Sequence, residues 1–561
     1  MARQSITFGA VLSSILVSAG GDDNNKLLPY VVFGVVIMCL WVLRGLFAGN
    51  EGRAAFRYHG RAGGARRQQY CKLQMSDSSS PLLCGSDSVG SKQPPPSLDE
   101  IIERYIGDFG WVQFLQAFLV SFAWVFDAQQ TFISVFTDAE PTWHCNDQLG
   151  DELCNSMSDI CQLSKSSWSW DLPVHTSIIS EWGLECASSL VKGLPASSFF
   201  MGCLAGGFVL ATLADSSLGR KNMLFLTCLM MSLSSLLTIL STNVWIYSAL
   251  RFVNGFGRAT IGTCAIVLST ELVGKKWRGQ VGTLGFLCFT LGFLSLPAIA
   301  YINRGSSWRA LYFWTSTPTI LYSMLVPFLV RESPRWLFVQ GRTDEAVSII
   351  KSITPTSNRN NISTMSFSNL CFERETWNVD LYSAIKVLVE TKWAFRRISA
   401  AMVTGFGIGM VYYGMPLGLG NLSFNLYLSV TLNALSELPT SIITFFLIGK
   451  LNRRSSLLGF TILSGTCSVM CVVAGNVSAT LQIGLELVSF FSACGCVRRR
   501  VQSDAGRRGR KNGFLLFGIF GLVIGVCGLF VVVLPETRDR TLSDTMDEEE
   551  YKERVACNTI S

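Results

Sequence analysis

Arg331-Glu332-Ser333-Pro334-Arg335-Trp336-Leu337-Phe338-Val339-Gln340-Gly341-Arg342 closes a series of apolar runs and opens a long polar loop. Six such runs lie between Phe109 and Val330. The last run of a second series, Phe514 to Leu534, ends in Pro535-Glu536-Thr537-Arg538, a shorter echo of the same Glu, Ser/Thr and Arg chemistry. Two halves closing on related charged turns are the pattern of a membrane carrier built by internal repetition.

Composition agrees. Of 561 residues, 49% are hydrophobic and 15% charged, more apolar surface than a soluble core of this size contains. Runs near twenty residues with few charges are long enough to cross a hydrocarbon core of about 30 Å as helices. Helix is required, because lipid offers open backbone groups no partner, and the alternating ten-residue pattern of a barrel is absent. The expectation is an all-α membrane protein embedded in the lipid bilayer. A net charge of +7 does not point to nucleic acid, because the basic residues sit in short clusters between spans, where they set orientation.

Residues 1–74 hold one apolar run, about Leu27 to Leu43, followed by Arg44, Arg53, Arg57, Arg61, Arg66 and Arg67. They read as an extension outside the repeat, with Met75 resembling a start and 75–108 a cytoplasmic N-terminal tail. The N-terminal bundle covers 109–330. Its loop 137–192 is acidic, carries Cys145, Cys154, Cys161 and Cys186, and is expected outside the cytoplasm. Four cysteines in such a loop form a disulfide set with three possible pairings. His144 and His175 share the loop, but the spacing follows no zinc pattern.

The more basic loops fall at every second position: Arg220 and Lys221, then Lys275, Lys276 and Arg278, then Arg331, Arg335 and Arg342. Both ends of the first half are therefore expected in the cytoplasm. Gly341 is expected to end a short amphipathic helix, and 331–397 to form a cytoplasmic central loop. The C-terminal bundle, 398–534, has runs at about Ile398–Gly420, Leu422–Ile448, Leu457–Ala474 and Val477–Cys494. Arg498 to Lys511 then leave room for only one more span, so the second half is apparently missing about one. Counting from Met75 gives about eleven crossings, which places the acidic tail 535–561 outside, opposite to its first-half echo. Asn421-Leu-Ser and Asn476-Val-Ser fit the glycosylation pattern at outer turns.

Several residues carry candidate chemistry. Asp127 lies inside the first span, where an ionisable group is a site candidate. Glu437, in Asn433-Ala-Leu-Ser-Glu437-Leu-Pro439, puts a carboxylate beside a mid-span proline that frees a carbonyl one turn back. Tyr412 and Tyr413 offer faces to a quaternary ammonium, with Trp124, Phe126 and Trp314 as weaker candidates. Between spans two and three, Asp215 and Gly219-Arg220-Lys221 make a tight turn at a helix end. Glu271 and Arg278 offer complementary charges, and Arg251-Phe-Val-Asn-Gly255-Phe-Gly-Arg258 has small residues for close helix contact. The chain carries neither a phosphate-binding loop of the Gly-x4-Gly-Lys-Ser/Thr form nor a nucleophile and base set. ATP-driven pumping and enzymology are therefore not expected, and no cofactor is implied.

Taken together, the turn at 211–221, Glu332-Ser-Pro-Arg335-Trp-Leu, the Cys-containing loop and Pro535-Glu-Thr-Arg538 resemble the major facilitator superfamily. Within it they resemble the organic cation/carnitine transporters, plant branch, over about Ser97–Glu550 except 495–511. Ala211 and Ser216 stand where that family usually has glycine and arginine. The resemblance implies two six-helix bundles with a midplane site and access alternating by rocking. It implies a small-molecule organic cation or carnitine as substrate, with H+ or Na+ as possible coupling ions, in a plasma or vacuolar membrane. Glu437 would neutralise the ammonium and Tyr412 stack on it. Asp215, Arg220, Glu271, Arg278, Glu332 and Arg335, with Gly219, Lys221, Arg251, Arg453, Glu536 and Arg538, would form a cytoplasmic gate. The alternatives are a sugar or organic-anion porter of the same superfamily and a shortened, non-transporting product.

Overall fold

A computed structural model describes residues 2–19, 109–146, 160–214, 218–354, 392–418, 425–447 and 453–474, with residues 488, 491–492, 523–524 and 527. The expected Cys154, Asp215, Asn421, Asn476, Glu536 and Arg538 lie outside these residues. Apart from one turn at Ile178–Glu181, the α-helices are α1 (Ala2–Ala19), α2 (Trp111–Ser121), α3 (Ala123–Phe132), α4 (Ser134–Thr137), α5 (Ser189–Ala214), α6 (Arg220–Thr238), α7 (Val244–Arg258), α8 (Ile261–Glu271), α9 (Lys275–Ile302) and α10 (Trp308–Leu329). They continue as α11 (Pro334–Val339), α12 (Thr343–Ile353), α13 (Lys392–Gly418), α14 (Leu426–Leu447) and α15 (Arg453–Ala474).

The first span is the series α2–α4, the fourth is α7 followed by α8, and the other apolar runs of the first half are each one helix. Among the described residues, four stretches, Trp111–Thr137, Ser189–Leu210, Arg220–Thr238 and Trp277–Ile302, are long and apolar enough to cross a membrane by length and composition. The end of the bundle that carries residues 138–146 and 160–188 is called outer here, as the charge pattern expects, and the opposite end inner.

Small residues decide how closely the spans approach. A Cβ on Gly255 of α7 would run into the Phe199 carbonyl of α5, so the backbones touch there as the sequence anticipates. Across the two halves, α9 packs on α14, while within the first half it packs on α3. Helix α1 packs against α5 and α13. It was expected to lie outside the repeat; instead Ile6, Ala10 and Val11 are buried in the main core.

At the outer end, β1 (Trp143–Cys145) pairs antiparallel with β2 (Trp168–Trp170). Cys161 is bonded to Cys186, and Cys145 is also disulfide-bonded. His144 contacts Asp171 at 2.6 Å through Nδ1 and Ser169 at 3.0 Å through Nε2. Hydrogen bonds from Thr142 and His144 hold the Asp171 carboxyl below the usual carboxylate range.

At the inner end, Ser333 caps α11, its Oγ accepting from the Trp336 N–H at 3.1 Å, and Pro334 occupies the first turn. Gly341, at φ 76°, then turns the chain into α12, whose Ala346, Val347, Ile350 and Ile353 are buried. The first part of the central loop is thus a helix pair, of which α11 is the short helix that Gly341 was expected to end and α12 was not announced by the polar composition.

These contacts make two glycines behave oppositely. Gly255→Leu should abolish recovery of monodisperse protein in detergent, since backbone would have to move. Gly282→Ala, with nothing within 4 Å of the added Cβ, should keep or raise the midpoint of thermal unfolding, consistent with a gain of about 0.4–1 kcal/mol.

Candidate functional site

The inner end is joined by Glu332. Its Oε1 accepts the backbone N–H of Arg220 at 3.1 Å, and both carboxylate oxygens lie 3.2 Å from the Lys221 nitrogen. These are the first residues of α6, where the helix dipole and unpaired N–H groups favour an anion. Gly219, at φ 79°, is needed because a Cβ there would strike the same carboxylate. Burial raises the Glu332 pKa, while the Ser333, Lys221 and Arg220 N–H groups pull it down.

Gln116 of the first span supports this turn, donating to the Leu329 carbonyl at 3.0 Å and accepting from the Arg331 N–H at 3.1 Å. Sequence reasoning missed Gln116; its signal was a pair of glutamines, Gln113 and Gln116, one helical turn apart in an apolar run. Arg335 follows the same turn in α11. Glu271 ends α8, Arg278 lies in the first turn of α9, and Arg453 begins α15.

Arg251 was expected with this gate, and the structure places it elsewhere. It is fully buried toward the outer end, donating to the Gln130 carbonyl at 3.1 Å and to Ser134 Oγ at 2.9 Å, with its guanidinium 4.3 Å from the Phe199 ring centre. Gln130 centres a polar network, accepting from Ser235 and Asn254 and donating to Thr315. In the middle of a span, the guanidinium finds acceptors on a neighbouring helix and has no route to the inner loops.

Deeper in the first bundle, Asp127 pairs with Arg258 of α7. Nε donates to Oδ1 at 2.5 Å and a second guanidinium nitrogen to Oδ2 at 3.3 Å. Asp127 is 1% exposed, so the arginine neutralises it and it offers no open anion to a cation. Arg258 also contacts the Tyr413 hydroxyl of α13 at 3.5 Å, so this pair bridges the halves. Arg258 was missed as a partner. The signal was available: two opposite charges inside apolar runs of one bundle are expected to meet.

Tyr412 and Tyr413 are buried among aromatic rings. Phe132 stacks on Phe293 at 4.1 Å, Tyr412 lies 6.0 Å from Phe132 and 6.4 Å from Phe289, and Phe200 lies 4.8 Å from Tyr413. Trp124 and Phe126 are buried nearby, whereas Trp314 is 54% exposed on the outside of α10 and belongs to no site.

Glu437 of α14 is fully buried at the contact between halves, where Thr290 of α9 donates to its Oε2 at 3.0 Å. The same helix supplies Phe289 and Phe293. At the outer mouth, a cavity of 420 Å³ is lined in part by Phe136, Glu140, Arg304 and Tyr427. The arrangement can bury and orient a small organic molecule between the halves. Among the described residues, no group of side chains is placed to hold a metal ion.

The family model for sugar (and other) transporters matches residues 152–497. A protein of Arabidopsis thaliana named organic cation/carnitine transporter 3 is 61% identical, over 85% of this chain and 98% of its own length. Organic cation/carnitine transporter 2 of the same plant is 57% identical, over 87% and 100%. This chain belongs to that family, in its plant branch within the major facilitator superfamily. The fold agrees: a partially occluded inward-open structure of the xylose transporter XylE from E. coli superposes with a TM-score of 0.53. The match has 16% identity and covers 78% of this chain and 100% of that one. The chain is thus a multi-pass membrane protein with the major facilitator fold, and its relatives are transporters and not enzymes.

Two substitutions follow from the buried charges. Asp127→Asn should lower stability by about 3–5 kcal/mol, because Arg258 stays buried without its anion, and adding Arg258→Gln should cost less than the sum of the two single changes. Thermal unfolding of purified protein over the full double-mutant cycle measures this. At the inner end, Glu332→Ala should lose about 1–3 kcal/mol, and Glu332→Gln, which keeps an acceptor oxygen for the α6 N–H groups, distinctly less.

Proposed function

We propose that this protein carries organic cations or carnitine across the membrane by alternating access. The observation that carries the reading is Glu437, a fully buried carboxylate between the halves, reached by Thr290 on the helix that bears Phe289 and Phe293. A buried carboxylate at a mobile contact holds a positive charge better than any neutral group there, and aromatic faces stabilise a desolvated ammonium by about 2 kcal/mol. With Asp127 occupied by Arg258, Glu437 takes the neutralising role and Tyr412 offers a ring. The names of the relatives support the same substrate class.

In this reading Glu332, Gly219, Arg220 and Lys221 form part of the inner latch, together with Arg278, Glu271 and Arg335. Breaking a contact made in only one of two states shifts their populations. The coupling ion is H+ or Na+, or the membrane potential alone drives entry. The membrane is the plasma membrane or the vacuolar membrane.

Uptake of tetraethylammonium into cells expressing the chain tests the assignment. Glu437→Gln should reduce it at least tenfold with unchanged amount at the membrane, and excess carnitine should compete where glucose does not. Unchanged uptake by Glu437→Gln, or competition by glucose in place of carnitine, would overturn the reading.

A further inference from the structure

The first half shows where each span of a repeat belongs. Its fifth span, α9, packs on the first span through α3 and, across the halves, on the eighth span, α14. By the same arrangement, an eleventh span must pack on the seventh, α13, and across the halves on the second, α5. Those are the two helices against which α1 packs. The backbones approach as closely as in the first half: a Cβ on Gly9 would enter the Phe406 carbonyl and the Met410 nitrogen, and one on Gly409 would enter the Ile6 carbonyl. Beside α13 lie Val523, Ile524 and Cys527, which are buried, and Thr404 Oγ1 of α13 donates to the Cys527 carbonyl at 3.3 Å.

The sequence carries the same relation at both ends. Asn25-Lys-Leu-Leu28-Pro-Tyr-Val-Val-Phe33-Gly34-Val-Val36-Ile37 matches Asn512-Gly-Phe-Leu515-Leu-Phe-Gly-Ile-Phe520-Gly521-Leu-Val523-Ile524, with identical residues at the numbered positions. Upstream, Gln4-Ser5 and Ala19-Gly20 flank the apolar stretch Ile6–Ser18. The corresponding Gln502-Ser503 and Ala505-Gly506 flank Asp504 alone. The second copy lacks the apolar stretch that the first retains.

We propose that Ala2–Ala19 serves as the eleventh span of the second bundle, supplied from the opposite end of the chain, and that Gln4 and Thr7 thereby line the substrate path. The second part rests on the transport reading above. Gln4 and Thr7 border a small cavity with Cys203, Arg258 and Ala259. Gln4 Oε1 is buried there without a hydrogen-bond partner, an acceptor available to a hydroxyl or N–H group of a passing solute. The inter-half wall beside the Asp127–Arg258 pair is then built from residues that precede the repeat in sequence.

The test uses the full chain carrying Cys39→Ser and Cys203→Ser, the latter because Cys203 shares the cavity with Gln4, and a specific protease site inserted after Gly64. The Gln4 amide lies where a Cβ on Gly207 would sit, so Gln4→Cys with Gly207→Cys should cross-link under a mild oxidant or a short bifunctional thiol reagent. After cleavage, the N-terminal fragment should stay with the rest of the chain on a non-reducing gel, or be held by the reagent. The control pair, Gln4→Cys with the exposed outer-end Leu240→Cys, should release it. Release from both pairs, or retention by both, overturns the placement. Gln4→Leu, which removes the buried acceptor without entering backbone, should then lower uptake of carnitine, which carries a hydroxyl, about tenfold at equal membrane amount, and full uptake would overturn the role in the path. The cross-link is read without transport: its formation in a chain that moves no cation supports the helix placement and removes only the transport reading.

Discussion

A charge held among lipid-embedded helices must be met by another charge or by hydrogen-bonding groups, and the first bundle is arranged around that requirement. Asp127 and Arg258 satisfy each other between the first and fourth spans, and the same arginine reaches Tyr413 in the other half. Arg251, two turns away on the same helix face, donates to the Gln130 carbonyl and Ser134 and feels the charge of Asp138. Together they fix the rotation of the fourth span, because turning it would expose either guanidinium to hydrocarbon.

In the first half the ionisable groups inside spans are absorbed in structure. In the second, Glu437 meets a hydroxyl from Thr290 at the surface where the halves touch. Two bundles of common ancestry thus divide their tasks, one rigidified by internal polar contacts and the other presenting a carboxylate at the seam.

Most of the fold was legible. Runs of about twenty apolar residues located the spans, and the small residues around Gly255 marked the close contact of α5 with α7. The Glu332 turn was recognisable as a charged contact, though the group it binds, the N-terminus of α6, has no side-chain signature. Arg251 was misassigned because charge near the middle of an amphipathic run gives no sign of which end it serves. Helix α1 was invisible for a related reason. Gln4, Ser5, Ser13 and Ser14 interrupt its hydrophobicity, and Ser5, Ser13 and Ser14 are buried against neighbouring helices, where polarity is permitted. Glu437 and the tyrosines, all three buried, were singled out by residue type and position. Arg258 and Thr290 were not, since each acts through a partner far along the chain.

The fastening of α10 has a mechanical consequence. At its outer end Trp308 and Arg309 bond to Glu181, and Arg309 also holds the carbonyls of Ile239 and Ser241 just beyond α6. At its inner end the following Glu332 grips the start of α6. Two antiparallel rods bolted together at both ends resist shear along their common axis and behave as one stiff plate. Compliance is easier along the seam between the bundles, where aromatic rings slide past one another and single side-chain bonds such as Thr290 to Glu437 exchange partners.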